Sequence, residues 1–571
     1  MAERQPSEKP RIAVFSGPTA TIQNSEPLVT SNKAREKYGL PLRTNPDGSA
    51  MRFDAVRPQR IAAPVTLYVE QFSAHPLECD AAELYAPPDG YLDSSGSFHK
   101  DRQGPKDVPV YEVTLSPTDG LYPLPYMARQ SNGQAWEGDG AETSAPAERY
   151  RQPFYPDPSR LFEEIDRMGI WDEGVSCLLS SKADFDFYRA APPGGYKKGL
   201  PEALRTDMGQ GDIPAEKLGE DFFPYRPGHL RKEPPMSRLA RLTNTVQQAM
   251  ASGKYVGAIW LEGSPFVEET AFWLNLLIDT TLPICGNASQ RAHGALSNDG
   301  DRNIVDSVDY ITSRIWADEN GRDCIGTVVI QEEQIFTARE VQKGDARPGG
   351  YVTAGGHGGI IGTMGQPGPA ALTFKTVKRH THTSMVNFNR LPPSVEGIRR
   401  EGKRIARFSV PIKNDKGELL PTAIPKVTIV KHARYLPENS SGDPATEIEI
   451  VARIEKNLQD SLLAGFVAEG AAPFGSMGEA VEAVLRRAAF YGMPTVRVGR
   501  GNAEGPVDPK RARLAIAGSN LTATKARLLL MACLLRFGSL PAAADPEHPT
   551  QAEVDAVNAK LAQYQEVFYI H

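Results

Sequence analysis

From residue 236 onward the sequence alternates helical and strand patterns with a regularity that leaves few folds open. MSRLARLTNTVQQAMASG (236–253) carries helical periodicity, YVGAIWLEG reads as a buried strand, and EETAFWLNLLID as a helix. LPICGN (strand), NIVDSVDYITSRIWA (helix) and GTVVIQEEQIF (strand) continue the series. Strands separated by helices of this length build βαβ units on a parallel sheet. AIPKVTIVKHA (423–433), SLLAGFVAEG (461–470), MGEAVEAVLRRAAFYG (477–492) and PTVRVGRG (494–501) repeat the alternation. TATKARLLLMACLLRFG (522–538) and EVDAVNAKLAQYQEVF follow as helices, and KNDKGELLPT (413–422) between the two runs reads as a linker. The expectation is an α/β protein of two domains. A larger N-terminal parallel-sheet domain spans 1–410, a linker 411–422, and a smaller C-terminal α/β domain 423–571.

The first part of the chain is less regular. RIAVFSG (11–17) is a buried-strand pattern, and APVTLYVEQF (63–72) reads as a second strand of the same domain. From about 86 to 235 the sequence is rich in Pro, Gly, Asp and aromatic residues, with one helical stretch, SRLFEEIDRMGIWDEGVSCLL (159–179). A structureless loop of this length is rare inside a compact domain. The interleaved Tyr, Phe and Trp argue against full disorder, since disordered segments are poor in aromatics. The block reads as an insertion.

Charge and composition narrow the function classes. A net charge of −6 and a pI near 6.0 show no basic excess, which argues against a nucleic-acid partner. The longest apolar stretches, such as LLLMACLL (528–535), fall short of the roughly 20 residues a membrane span needs. The opening MAERQPSEKPRIAVF lacks the apolar core of a secretory signal. Five scattered cysteines (79, 177, 285, 324, 533) without a CxxC read as free thiols, so the expected compartment is the cytoplasm. His380 and His382 would share one face of a strand, but with no third ligand nearby they read as surface or interface residues. GGYVTAGGHGGIIG (349–362) lacks the GK[ST] of a phosphate loop and reads as a turn-rich connection. DGDRN lacks the later glutamate of a calcium loop and reads as structural.

In an open parallel sheet, ligands bind beyond the carboxyl ends of the strands. That rule nominates Ser16, Gly17, Pro18, Thr19, Ala20 and Thr21 after the first strand, and Ser73 after LYVEQF. It adds Ser264 after GAIWLEG and Glu332 with Glu333 after GTVVI. A hydroxyl nucleophile needs a base to take its proton and backbone N–H groups for its oxyanion. Thr19 or Thr21 meets that need, although hydroxyl residues after strands more often cap the next helix.

The order of these pieces resembles the bacterial asparaginase/glutaminase family, whose members use a threonine nucleophile. VFSGPTATI stands where the family has a strand and a TGGTIA-like turn, and LEGSPFVEETA where it has HGTDTMEETA. CGNASQR and SNDGDRN (297–303) stand for the strand ending GAMR and the S-x-DG-x-x-N segment. GTVVIQEE matches the family's GVLVVMND, with Lys343 placed 17 residues after Gly326. The likeness continues through GGIIG (358–362), IPKVTIV, VAEGAAPFGSMGEAV and LTATKARLLLMACLL. It covers the chain except the insertion and shorter additions near 400–420.

The resemblance implies Thr19 as nucleophile, or Thr21 if two residues are inserted, assisted by a loop tyrosine for which Tyr38 is the nearest candidate. It implies Lys343 and Ser264 as the pair that relays the proton. Ser73, Thr21, Glu262, Gly263 and Gly17 stand at substrate-binding positions, with N–H groups near Gly17 and Gly263 for the oxyanion. The departures cluster in one turn: Glu262 replaces a histidine, Ser264 a threonine, Pro265 the aspartate that binds the substrate's α-ammonium, and Phe266 the next threonine. Glu262, Glu332 or Glu333 could supply a replacement carboxylate. The C-terminal segment that reaches a neighbouring subunit's site is also altered (AAPFGS). The expectation is a hydrolase of a C–N bond in a small carboxamide other than free asparagine, acting through an acyl-enzyme. No cofactor and no metal are implied, the partner is the small-molecule amide, and the assembly is a dimer or tetramer. A ring-opening hydrolase of cyclic imides or lactams and a catalytically silent binding relative remain as alternatives.

Overall fold

The computed structural model describes residues 9–17, 29–31, 53–60, 65–69, 89–93, 97–115, 121–125, 162, 165 and 179–188, and residues 235–571 apart from short gaps. Its centre is an eight-stranded sheet. Strands β1 (Arg11–Ser16), β2 (Asp184–Tyr188), β3 (Gly257–Leu261), β4 (Ile284–Asn287) and β5 (Val328–Gln331) run parallel, in the order β2-β1-β3-β4-β5. β6 (Gln334–Thr337) turns back antiparallel, and the ribbon β7 (Val341–Lys343) and β8 (Tyr351–Thr353) follows it. β9 (Ile360–Gly365) and β10 (Gly368–Leu372) complete the sheet beside β6.

Both faces of this sheet are covered, which explains the continuous apolar runs of its inner strands. Ala13, Phe15, Ala258 and Trp260 point to one face, under α1 (Pro235–Ala251) and α2 (Val267–Leu277). Ile12, Val14, Ile259 and Leu261 point to the other, under α3 (Gly300–Ser313). Helix α2 is buried on two sides. Val267, Ala271 and Leu274 meet the sheet, while Phe272, Trp273, Leu276 and Leu277 meet the C-terminal part of the chain.

That C-terminal part opens with a hairpin, β11 (Ser394–Glu401) and β12 (Arg404–Pro411). A four-stranded parallel sheet follows: β13 (Lys426–Lys431), β14 (Ala464–Gly470), β15 (Thr495–Gly499) and β16 (Ile516–Ala517). Helices α4 (Ile448–Asp460) and α5 (Glu479–Phe490) pack on one face. Helix α6 (Ala523–Phe537) packs on the other and is followed by α7 (Gln551–Ile570). The α/β class is as expected, with five strands of the larger sheet and all four of the smaller one running parallel.

Four details differ from the expectation. Val65–Val69 is a strand, but it pairs antiparallel with Val108–Leu115 in a separate four-stranded sheet. The neighbour of β1 is instead the short β2, inside the supposed insertion. Its alternating Asp and Phe residues suit an edge: Asp186 accepts from Arg11 at 2.7 Å and from the Tyr255 hydroxyl at 2.8 Å, while Phe185 packs edge-on against Phe162. GTVVIQEEQIF is not one strand but the β5–β6 hairpin, turning at Glu332 and Glu333, both with positive φ. His382 lies in a single 3-10 turn (Thr381–Thr383), not on a strand, because Thr381 adopts a left-handed backbone; His380 lies outside the described residues.

The stretch read as a linker is an ordered turn. Asn414 Oδ1 accepts from the N–H groups of Lys416 and Glu418. Leu419 is tied through both backbone groups to the Asn244 side chain on α1.

Candidate active site

The carboxyl ends of β1, β3, β4 and β5 share one rim. Gly17 closes the β1–β3 ladder by donating its N–H to Leu261 O at 2.7 Å. The donor that an oxyanion role required is therefore occupied. A Cβ on Gly17 would lie 2.9 Å from Glu262 Cδ and 3.0 Å from the Trp260 ring, so the backbone of β1 rests directly on these two side chains. Glu262 is buried, and its Oε2 accepts from Trp260 Nε1 at 2.8 Å. Past Gly263 the chain turns through a cis Ser264–Pro265 bond, leaves Phe266 half exposed, and enters α2.

Ser264 Oγ accepts a hydrogen bond from Tyr351 at 2.8 Å. Tyr351 stands directly across the β7–β8 ribbon from Lys343, whose Nζ sits 5.0 Å from the centre of the Tyr351 ring. Lys343 Nζ donates to Gln290 Oε1 at 2.9 Å, to Arg347 O at 2.6 Å and to Gly349 O. Burial lowers the Lys343 pKa, opposed by the carboxylates of Asp345, Glu332 and Asp299. Burial pushes the Tyr351 hydroxyl up, and Glu268, Asp299 and Glu262 add to that. Gly349 is required here. Its φ is +77°, and a Cβ would collide with the Glu332 carboxylate.

Behind these groups lies a polar scaffold at the ends of β4 and β5. Asp299 accepts from Ser289 Oγ, the N–H groups of Gln290 and Arg291, and Gln331 Nε2. Asn303 donates to Ala288 O and Gln331 Oε1, and Asn287 donates to Ser307 Oγ and Ile330 O. The Asp299 carboxylate thus fixes the loop carrying Gln290, the partner of Lys343. Backbone support comes from two sides. Glu268 on α2 accepts from Lys343 N, while Lys525 on α6 donates to the carbonyls of Ala338, Arg339 and Val341. Burial lowers the Lys525 pKa, opposed by Glu268 and Glu340, and raises that of Glu268, opposed by Lys525.

Of the expected site residues, Ser264, Lys343, Glu262, Gly263 and Gly17 lie at this rim, and Tyr351 is the link between the first two. Thr19, Thr21, Tyr38 and Ser73 lie outside the described residues. The strand taken to carry Ser73 belongs to another sheet, so the second strand of the rim ends at Tyr188 instead. Tyr351, Gln290, Glu268 and Lys525 had no signal of their own in the sequence. Only the register of the β7–β8 ribbon brings Tyr351 beside Lys343.

Residues 234–361, from α1 to the start of β9, match the family model described as Asparaginase, N-terminal. Over this segment the chain is similar to asparaginases. A glutaminase-asparaginase of Acinetobacter glutaminasificans is 30% identical over 154 residues, which are 27% of this chain and 44% of that protein. An L-asparaginase of Bacillus licheniformis is 36% identical over 105 residues, 18% of this chain and 31% of that one. The chain therefore spans less than half the length of these relatives. A probable cytoplasmic L-asparaginase of Campylobacter jejuni superposes with a TM-score of 0.42 at 18% identity, covering 69% of this chain and 88% of that one. The asparaginase match contains Ser264, Lys343, Tyr351 and the Asp299 scaffold, whereas β1 lies outside it.

Proposed function

We propose that the protein is a hydrolase of C–N bonds in small carboxamides, working through a threonine nucleophile and an acyl-enzyme. The observation that carries this reading is the hydroxyl of Ser264, held at the rim of an asparaginase-like sheet and joined through Tyr351 to Lys343. Thr19 is the nucleophile. In the sequence it follows Gly17 by two residues, and Gly17 rests on Glu262, two residues before Ser264. Attack by Thr19 Oγ on the amide carbonyl forms the C–O bond, and its proton leaves through Ser264. Water then releases the acid.

Free asparagine is not the substrate. Pro265 offers no charge to an α-ammonium, and the exposed Phe266 beside it favours an uncharged or apolar substituent. The compartment belongs to the same proposal: Cys285, Cys324 and Cys533 are free thiols, and among the described residues no helix is long and apolar enough to cross a membrane. So does the assembly, at least a dimer, in line with the exposed Phe474 in the Ala471–Ser476 turn.

A panel of primary amides, dipeptidyl amides and cyclic imides, with asparagine and glutamine alongside, tests the reading by separate assays of ammonia and ring opening. Ammonia from a primary amide, abolished by Thr19→Ala and reduced at least 100-fold by Ser264→Ala, is expected. Ring opening without ammonia replaces the amidase with a cyclic-imide hydrolase. Silence across the panel overturns both.

A further inference from the structure

Ser264 and Tyr351 come from different elements, and their hydroxyls meet with Tyr351 as the donor. A serine hydroxyl has one hydrogen and two lone pairs. With one lone pair of Ser264 Oγ occupied by Tyr351, the other lone pair and the hydrogen face elsewhere. That leaves the oxygen able to receive one proton while it gives one away.

Lys343 does not compete for this role. Its Nζ meets three acceptors: Gln290 Oε1, Arg347 O and Gly349 O. An ammonium has three N–H donors and satisfies all three, whereas a neutral amine would leave one carbonyl facing a lone pair. The arrangement fits a fixed cation and leaves no electron pair for a base. What this cation touches is the face of the Tyr351 ring. Tyr351 is also largely buried, and the surrounding carboxylates oppose loss of its proton, so it remains a donor.

We infer, on the basis of the hydrolase reading above, that Tyr351 is the positioning residue of the proton relay: its O–H sets Ser264 to pass a proton from the nucleophile to the departing nitrogen, and Lys343 holds the Tyr351 ring in place. The proton balance is closed. Thr19 Oγ gives its proton to the free lone pair of Ser264 Oγ as Ser264 releases its own hydrogen. The tetrahedral adduct collapses with cleavage of the C–N bond, and the electron pair left on nitrogen takes that hydrogen. The products are ammonia and the threonyl ester, with Ser264 and Tyr351 unchanged.

The test uses the full chain and its fastest amide from the panel. Parent, Tyr351→Phe, Ser264→Ala and the double variant are compared for kcat, KM and Tm. Tyr351→Phe is expected to lower kcat about tenfold, the scale of one hydrogen bond lost from the transition state, with KM within about twofold. The double variant should be no slower than Ser264→Ala alone. Ser264→Thr, which keeps a hydroxyl, should retain activity with Tyr351 present and lose it about tenfold when combined with Tyr351→Phe. A kcat for Tyr351→Phe within twofold of the parent overturns the relay assignment while leaving the hydrolase intact. So do independent, multiplicative losses in the double variant. A parent silent on every amide removes the reaction and the relay together.

Discussion

At Gly17 the addition of one carbon probes the rim directly. Gly17→Ala would place its Cβ against the carboxylate of Glu262 and the ring of Trp260, both of them buried. Over-packing of this kind costs about 1–3 kcal/mol. We expect the variant to melt several degrees lower and to lose amidase activity, as measured by calorimetry and ammonia release. Ser264 was legible in the sequence because it follows an apolar strand pattern, and Lys343 only through the family resemblance. Tyr351 was not legible, since it stands in a glycine-rich stretch that reads as a turn. Its meaning depends on a cross-strand pairing with Lys343 that no local pattern encodes. The occupied N–H of Gly17 was equally hidden, because only the ladder with β3 shows where that donor goes.

Among the elements, α6 is the one that reaches furthest. Its Lys525 is buried and donates to three carbonyls on the segment leading into β7, so a helix of the C-terminal sheet holds the strand that ends at Lys343. Lys525→Met keeps the volume and removes the donors, leaving buried carbonyls unsatisfied and Glu268 without its countercharge. We expect a loss of about 2–4 kcal/mol in urea unfolding, reduced when Glu268→Gln is added. The neighbouring Arg527–Glu269 pair at 2.9 Å is partly exposed, and Arg527→Ala should cost under about 1 kcal/mol in the same measurement. The helices α2 and α6 were plain in the sequence from their apolar periodicity. Their contact was not, since both are apolar nearly all round and periodicity names a buried face without naming its partner. β2 escaped notice for the opposite reason: an edge strand carries the polar residues that a core strand lacks.

On the scale of the whole molecule, the pH dependence of stability has an identifiable contributor. Asp306 on α3 is fully buried, and burial raises its pKa from 3.8 to about 7, helped by Glu333 and Asp309 and opposed by Arg302. A carboxyl raised in the folded state gives stability that is complete below about pH 4 and is lost as pH rises toward 7. Asp306→Asn is therefore expected to melt higher than the parent at pH 8, and the difference should shrink toward pH 4. The two α/β units were readable because helix and strand alternate in register with the sheet. The separate antiparallel sheets of residues 29–125 were not, because short strands among prolines and glycines lack a long period.

The position of β1 carries a consequence for how the chain is made. Arg11 pairs with Asp184, and Ile12 with Gly257, so both edges of this apolar strand wait for partners encoded far downstream. At roughly 5–20 residues per second, a ribosome takes more than ten seconds to supply the second of them. During that interval RIAVF is an unpaired hydrophobic segment of a nascent polypeptide, a natural client for chaperones, and this first strand is zipped in only after more than 240 later residues have followed it.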